Sequence, residues 1–144
     1  MRGDDDLDDK LLHGMAAEAI RYISALPWCE TLHEKYFGDG FGGIIALFLF
    51  RVSIRKVQEL EWIWVIVGDV PSAYLEAKDF PTAHAALRRY IEGVEDWIVT
   101  PENERDSRED LPPIHVPAGD ELIEMLKTRL FMLRESFLPH IKTE

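Results

Sequence analysis

The sequence lacks the features by which an exported or membrane protein is usually recognised. It contains one cysteine, Cys29, so no disulfide can form within the chain and no oxidising compartment is required. Its longest apolar run, residues 44–50, is far shorter than the roughly 20 residues of a membrane-spanning helix. The first residues are acidic, whereas a secretory signal begins with basic residues and an apolar run. We therefore expect a cytoplasmic protein that does not associate with membranes.

Positive charge is also scarce. Lysine and arginine total 16 against 27 aspartates and glutamates, which gives a formal net charge of -11. A field of this sign repels phosphate backbones and anionic lipid headgroups, and it attracts basic proteins. We expect no nucleic-acid partner, and if the chain has a macromolecular partner, we expect a basic protein.

Apolar residues, in contrast, are plentiful. They make up 47% of the 144 residues and charged residues make up 30%, which is enough for one packed core. Residues 1–144 are therefore expected to form a single domain. Residues 1–9 contain five aspartates and predict an acidic, solvated leader. Residues 101–113 are polar and bounded by prolines, and they predict a mobile loop.

Spacings of three and four between apolar residues predict three longer helices. Prolines mark the end of the first helix and the beginning of the second, because proline is tolerated in a first turn but not in a helix interior. The three helices are expected at residues 9–26, 82–98 and 119–137.

Two segments rich in branched and aromatic residues, 44–55 and 60–67, predict a β-hairpin. Pairing Val52 with Trp62 would place one apolar set on the core face, with Arg55 paired to Glu59 and Arg51 reaching Glu61. That set comprises Phe48, Phe50, Val52, Ile54, Leu60, Trp62, Trp64 and Ile66.

Residues 114–116, between prolines, allow a short edge strand beside this hairpin. The predicted fold is therefore α+β, with a small antiparallel sheet and three longer helices packed mainly on one of its faces.

Trp28, Leu32 and Tyr36 are four residues apart and predict a short helix over 28–37. The glycines that follow, at 38, 40 and 43, match the spacing of a dinucleotide-binding loop. That loop needs a preceding strand and a following helix, and here the predicted order is reversed. We interpret the glycines as a helix end and an entry into the sheet, and we predict no cofactor.

Cys29 and His33 would share a face of that short helix, as two metal ligands do. A zinc site needs three or four ligands, and the sequence offers no second pair at a suitable spacing. The serines show no nucleophile motif either. We therefore predict no metal site and assign no catalytic residues.

The candidate binding residues surround the end of the second predicted strand. Trp62 and Trp64 alternate with apolar neighbours, so both indoles project from one face of the sheet, where they either line a pocket or pack the core. Asp69 lies in the turn Gly-Asp-Val-Pro-Ser that follows, where it either caps its own backbone or serves as a ligand. Tyr74 and His84 complete the rim of a pocket predicted between the two tryptophans and a helix.

Residues 64–74, Trp-Val-Ile-Val-Gly-Asp-Val-Pro-Ser-Ala-Tyr, with Pro81 and a helix after them, resemble the central motif of an uncharacterised family of small bacterial proteins. In that family a tryptophan-rich strand leads into Gly-Asp-Leu-Pro-Thr/Ser, and this chain departs from the motif at Val70 and Ala73. The resemblance implies a bacterial, cytosolic, single-domain protein of unknown function and implies no catalytic residue.

Two functions remain open from the sequence. The first is a non-enzymatic acidic module that binds a basic protein, such as an immunity or regulatory protein. The second is a small enzyme or ligand-binding domain that uses the pocket between the Trp62/Trp64 face and a helix. The net charge of -11 and the lack of a catalytic set favour the first.

The last predicted helix, 119–137, is apolar over more of its circumference than one sheet face should cover. The surplus predicts a homodimer formed through this helix. The alternative is that the surplus packs inside the monomer against Leu12, Met15 and Ile23.

Overall fold

The computed structural model describes residues 2–57, 59–105, 107 and 119–141, with side chains from Lys10 onward. The chain begins with one helix, continues through four strands and ends in further helices. The last α-helix, Asp120–Met132, extends into a π-helical turn at Leu133–Phe137 and a 3-10 turn at Leu138–His140. The elements are α1 Arg2–Ser24, β1 Cys29–Phe41, β2 Ile45–Ile54, β3 Leu60–Gly68, β4 Ala73–Glu76, α2 Ala83–Val99, α3 Glu102–Arg105 and α4 Asp120–Met132.

The four strands form one antiparallel sheet in the order β1-β2-β3-β4, so each strand pairs with the next along the chain. This confirms the predicted α+β class with a small antiparallel sheet. The predicted strands 44–55 and 60–67 correspond to β2 and β3, the two central strands. Among the described residues, no helix has both the length and the apolar character required to cross a bilayer.

Helices cover both faces of the sheet, which corrects the prediction that they pack mainly on one. Helix α1 covers the face that we call the α1 face, where Met15, Ala19 and Ile23 meet alternate residues of the central strands. Helices α2 and α4 cover the other, the α2 face. The sheet residues buried on the α1 face are Ala46, Phe48, Phe50, Val52, Ile63, Val65 and Val67, and those on the α2 face are Ile45, Leu47, Trp64, Ile66 and Ala73.

The predicted hairpin register is wrong by one residue. Val52 lies opposite Glu61, and Arg51 lies opposite Trp62. Because successive side chains of a strand point to opposite faces, this shift exchanges the faces, and Phe48 and Trp64 lie on opposite sides of the sheet.

The predicted cross-strand ion pairs are replaced by other contacts. Arg51 pairs with Glu34 of β1 at 2.8 Å. The Arg55 guanidinium donates hydrogen bonds to the carbonyl oxygens of Pro27 and Cys29.

The predicted short helix at 28–37 is wrong, because this segment lies in the edge strand β1. Register shifts after Cys29, Leu32 and Phe37 interrupt the alternation that would otherwise mark it as a strand. Gly38 lies within β1 rather than at a helix end, and a Cβ there would come within 2.6 Å of the Trp64 ring. The close approach of this ring requires a glycine.

The chain returns to the sheet after the turn at 69–72, as the four-residue edge strand β4, which the sequence analysis missed. The predicted edge strand at 114–116 lies outside the described residues. Helix α2 begins within a residue of its prediction, where Thr82 Oγ1 accepts a hydrogen bond from the Ala85 amide.

Two further predicted boundaries differ from the structure. Helix α1 begins at Arg2, so the segment predicted as a leader belongs to this helix. The short helix α3 lies inside the segment 101–113 that was predicted as a loop.

Candidate functional site

The structure does not bring the five predicted site residues together. Trp64 belongs to the core of the α2 face, with 5% of its surface exposed. Its indole Nε1 donates a hydrogen bond to the carbonyl oxygen of Phe80 at 2.8 Å. This tryptophan packs and positions the segment before α2 rather than lining a pocket.

Asp69 and His84 have separate surroundings. The carboxylate of Asp69 accepts hydrogen bonds from Arg129 Nε at 3.1 Å and from Nη2 at 2.5 Å. The pair ties the β3–β4 turn to α4, so it connects two elements of the fold. His84 lies in the first turn of α2 and is partly exposed.

Trp62 lies at the other end of β3, beyond the cover of the helices. The Arg51 guanidinium lies 5.6 Å from the centre of the Trp62 ring, and the Tyr36 ring is 5.9 Å away. Hydrogen bonds from Arg51 and then from Tyr36 hold the pKa of Glu34 below its usual value. The same carboxylate raises the pKa of Tyr36. The charge of Arg51 is therefore compensated by Glu34 at the end of the α2 face that the helices leave open.

Tyr74 lines a cleft. It pairs with Val65 across β3 and β4, which places its ring on the α1 face. There it meets Trp28 with ring centroids 5.0 Å apart and planes tilted by 56°. The two rings come from segments 46 residues apart in sequence, brought together by the sheet.

The rings of Trp28 and Tyr74 form the aromatic wall of a cleft of about 280 Å³. Its apolar floor includes Ile54 and the buried Ile63. Acidic side chains from the hairpin and from β4 complete its lining. We call this feature, lined by Trp28, Ile54, Val57, Glu59, Glu61, Ile63, Tyr74 and Glu76, the aromatic–acidic cleft.

The β2–β3 hairpin fixes the position of Trp28. The Arg55 amide donates to the Trp28 carbonyl at 2.8 Å. The Arg55 side chain donates to the carbonyls of Pro27 at 2.9 Å and Cys29 at 3.1 Å. Lys56, at φ 79°, makes the turn without a glycine. Hydrogen bonds from Arg55 to three consecutive carbonyl oxygens therefore hold the segment around Trp28 against the hairpin, with the Trp28 indole at the cleft.

A lysine beside the cleft reveals its electrostatic character. Lys78 Nζ lies 3.2 Å from a carboxylate oxygen of Glu76. The hydrogen bond and charge of Glu76, followed by the charges of Glu61 and Asp79, raise the pKa of Lys78. Two of the cleft's glutamates thus stabilise a cation at its edge.

Tyr22 packs against the core of the α1 face, and burial raises its pKa to about 12, with a smaller contribution from Tyr74. The phenol of Tyr22 therefore carries no charge at physiological pH.

Cys29 and His33, considered above as a ligand pair, do not share a face. Cys29 is buried among α1-face residues, and this burial raises the pKa of its thiol although Arg55 opposes the shift. His33 Nε2 lies 3.2 Å from Ser53 Oγ. No group of three potential metal ligands occurs within the described part of the chain.

Comparisons with protein-family models, with curated proteins and with solved structures found no match. The resemblance drawn from residues 64–74 stays a prediction.

Sequence reasoning missed most of the cleft. Trp28 was assigned to a helix, and Glu59 and Glu61 were assigned to ion pairs with arginines. The available signal was the alternation of Glu59 and Glu61 with apolar residues at the start of β3, which places two carboxylates on one face.

Proposed function

We propose that the protein is a non-enzymatic binding module that receives a basic segment of a partner protein, with one cationic side chain seated in the aromatic–acidic cleft. The observation that carries the proposal is the convergence of the Trp28–Tyr74 pair with Glu59, Glu61 and Glu76 around one cleft. An immunity or regulatory protein that neutralises a basic partner is the biological form that the acidic composition favours.

The chemistry of the cleft matches the two parts of a lysine or arginine side chain. The methylene stem can pack on Ile54 and Ile63, while the charged head meets aromatic faces and carboxylates. Arginine fits best, because its planar guanidinium stacks on aromatic rings and forms paired hydrogen bonds with carboxylates. The net charge of -11 adds a long-range field that speeds the encounter with a basic partner.

The alternative is a small enzyme or ligand-binding domain with its pocket between the Trp62/Trp64 face and a helix. It has less support, because Trp64 is packed in the core and its Nε1 is already hydrogen-bonded to Phe80. Trp62 lies outside the helix cover and stacks with Arg51 of its own chain.

Titration of the protein with a fluorescent hexa-arginine peptide at moderate salt tests the proposal. We expect saturable binding that weakens about tenfold or more in Trp28→Ala and in Glu61→Gln. The matched control is Glu121→Gln, which removes the same charge from the exposed start of α4 and should bind as the wild type does. If the control weakens binding as much as Glu61→Gln does, only the overall charge is at work and the cleft is not the site.

Lys78 offers a test in the opposite direction. The ammonium of Lys78 pairs with Glu76 and competes with a bound cation for this carboxylate. Lys78→Ala should therefore tighten peptide binding. Lys127→Ala, which breaks an exposed pair with Glu124 on α4, is its control and should change affinity less. Unchanged affinity in Lys78→Ala would show that Glu76 takes no part in binding.

Self-association through residues 119–137 stays a prediction, and it concerns the opposite side of the sheet, where α4 lies. Cytoplasmic location likewise stays a prediction.

A further inference from the structure

The two most exposed large apolar side chains in the described part of the chain lie near each other on the outer surface of the α2–α4 pair. Val99 has 78% of its surface exposed and Phe131 has 68%. Both line a cleft of about 350 Å³ together with Ile98 and Leu130. We call this surface the α2–α4 groove. A protruding phenylalanine beside an open apolar cleft leaves hydrophobic area that water does not favour.

Most of the apolar stripe of the last helix is satisfied within the chain. Leu126, Leu130, Leu133 and Phe137 are buried in the core of the α2 face. The alternative that its surplus meets Leu12, Met15 and Ile23 is wrong, because these residues pack on the α1 face. The surplus that remains exposed consists of Phe131, which lines the groove, and Met125, which does not.

The charged side chains that line the α2–α4 groove are Glu95, Lys127 and Arg134, and each takes part in an ion pair. Arg134 pairs with Glu95 at 2.7 Å, and Lys127 pairs with Glu124 at 3.4 Å. In a chain with a net charge of -11, the rim that these pairs form is locally balanced, so a second copy meets little like-charge repulsion here. A basic partner gains no electrostatic advantage at this surface.

We infer that the α2–α4 groove is the interface of a homodimer, in which Phe131 of each protomer enters the groove of its partner. A twofold axis presents the same patch from both sides, so the patch must be complementary to itself. Here the projecting ring and the apolar cleft are on one patch, and the cations and carboxylates of the rim can exchange partners across the axis. A partner with only a projecting or only a receiving surface would leave half of the patch unused.

The dimer and the aromatic–acidic cleft are independent of each other. The cleft lies on the α1 face, whereas the groove lies on the outside of the helices that cover the α2 face. A dimer of this kind would present two basic-segment sites pointing away from the interface.

Analytical ultracentrifugation from low to high micromolar concentration tests the inference. We expect the wild type to approach twice the monomer mass of 16.6 kDa. Phe131→Glu should weaken the association by at least a hundredfold, because it places a carboxylate in the apolar centre of the interface. Val99→Glu should act in the same direction.

Phe37→Glu is the matched control, because Phe37 is also a half-exposed phenylalanine, at 49%, but lies on β1. It should remain dimeric. Circular dichroism and melting temperature verify that each variant is folded. A wild-type mass near 16.6 kDa at every concentration would overturn the inference, as would a Phe37→Glu variant that dissociates as readily as Phe131→Glu.

Discussion

The two faces of the sheet are covered by different means, and the difference accounts for where the cleft lies. A four-stranded sheet is about 14 Å wide, whereas one helix with its side chains is about 10 Å across. Two helices therefore cover the α2 face, where α2 alone buries Tyr90 and Trp97. Helix α1 covers the α1 face alone and buries the smaller Met15, Ala19 and Ile23. The part that α1 leaves open, beside the hairpin, is where the aromatic–acidic cleft forms.

The largest effect that tests this comparison is expected from Trp64→Ala. The variant leaves a large cavity under α2 and removes the hydrogen bond to Phe80, so the free energy of unfolding should fall by about 3–5 kcal/mol. Trp62→Ala is the control on the same strand and the same face, where the ring is only partly buried and lies outside the core cluster, and it should cost about 1 kcal/mol. Urea denaturation measures both. Equal losses would mean that the helices protect the two tryptophans alike.

A second variant tests the end of β3, at Gly68. Gly68 has φ 139°, and a Cβ there would collide with the backbone of Ile44. Gly68→Ala should therefore lower the free energy of unfolding by about 1–3 kcal/mol. Gly43→Ala, whose Cβ would only touch Leu11 at an ordinary 3.8 Å, is the comparison and should be milder. A Gly68→Ala variant as stable as Gly43→Ala would show that the end of β3 relaxes without cost.

Alkaline pH should weaken the α1 face through Tyr22. Burial raises the pKa of this phenol to about 12, so the folded protein holds the proton more tightly than the unfolded chain does. Stability should be unaffected below about pH 10 and fall as pH rises from 10 to 12, by about 1–2 kcal/mol for a partly exposed ring. Tyr22→Phe should lose less stability over the same interval in thermal melts. Parallel decline of the two proteins would place Tyr22 in solvent.

The smallest effect is a gain. Gly14 lies in the interior of α1, and a Cβ there meets nothing within 4 Å. Gly14→Ala should stabilise the protein by about 0.5–1 kcal/mol, because alanine loses less backbone entropy in a helix. Chemical denaturation with peptide titration verifies that the gain leaves the cleft unchanged. A loss of stability would indicate that α1 depends on the flexibility of this glycine.

The elements in which apolar residues recur at a regular spacing could be predicted from the sequence. Helix α2 has a clear apolar stripe and a capping threonine, and the prediction lies within a residue of both ends. Strands β2 and β3 were recognised from branched and aromatic residues. Their register could not be recognised in the same way, because both faces of central strands are buried and residues 45–50 are apolar at every position. The turn gave no help, since Lys56 adopts a positive φ where a glycine would have marked it.

The candidate site was harder to predict because it depends on the least regular elements. In β1, bulges break the alternation, and the spacing of Trp28, Leu32 and Tyr36 imitates a helix. In β4, four residues are too few to show a period. Tyr74 was selected for its place after a turn, yet its contact with Trp28 follows only from the pairing of strands that were not predicted. The acidic members of the cleft likewise depend on register.

The order β1-β2-β3-β4 has a consequence for how fast the protein acquires its fold. Every strand pairs with its immediate predecessor, so no long loop has to close before the sheet can form. Proteins dominated by contacts between sequence neighbours cross their folding barrier sooner than those whose sheets join distant segments. Each hairpin can provide a template for the strand that follows, so the inner edges of β2 and β3 are open to intermolecular pairing only briefly during folding. We expect a refolding rate toward the fast end of the range for mixed α and β domains of this length.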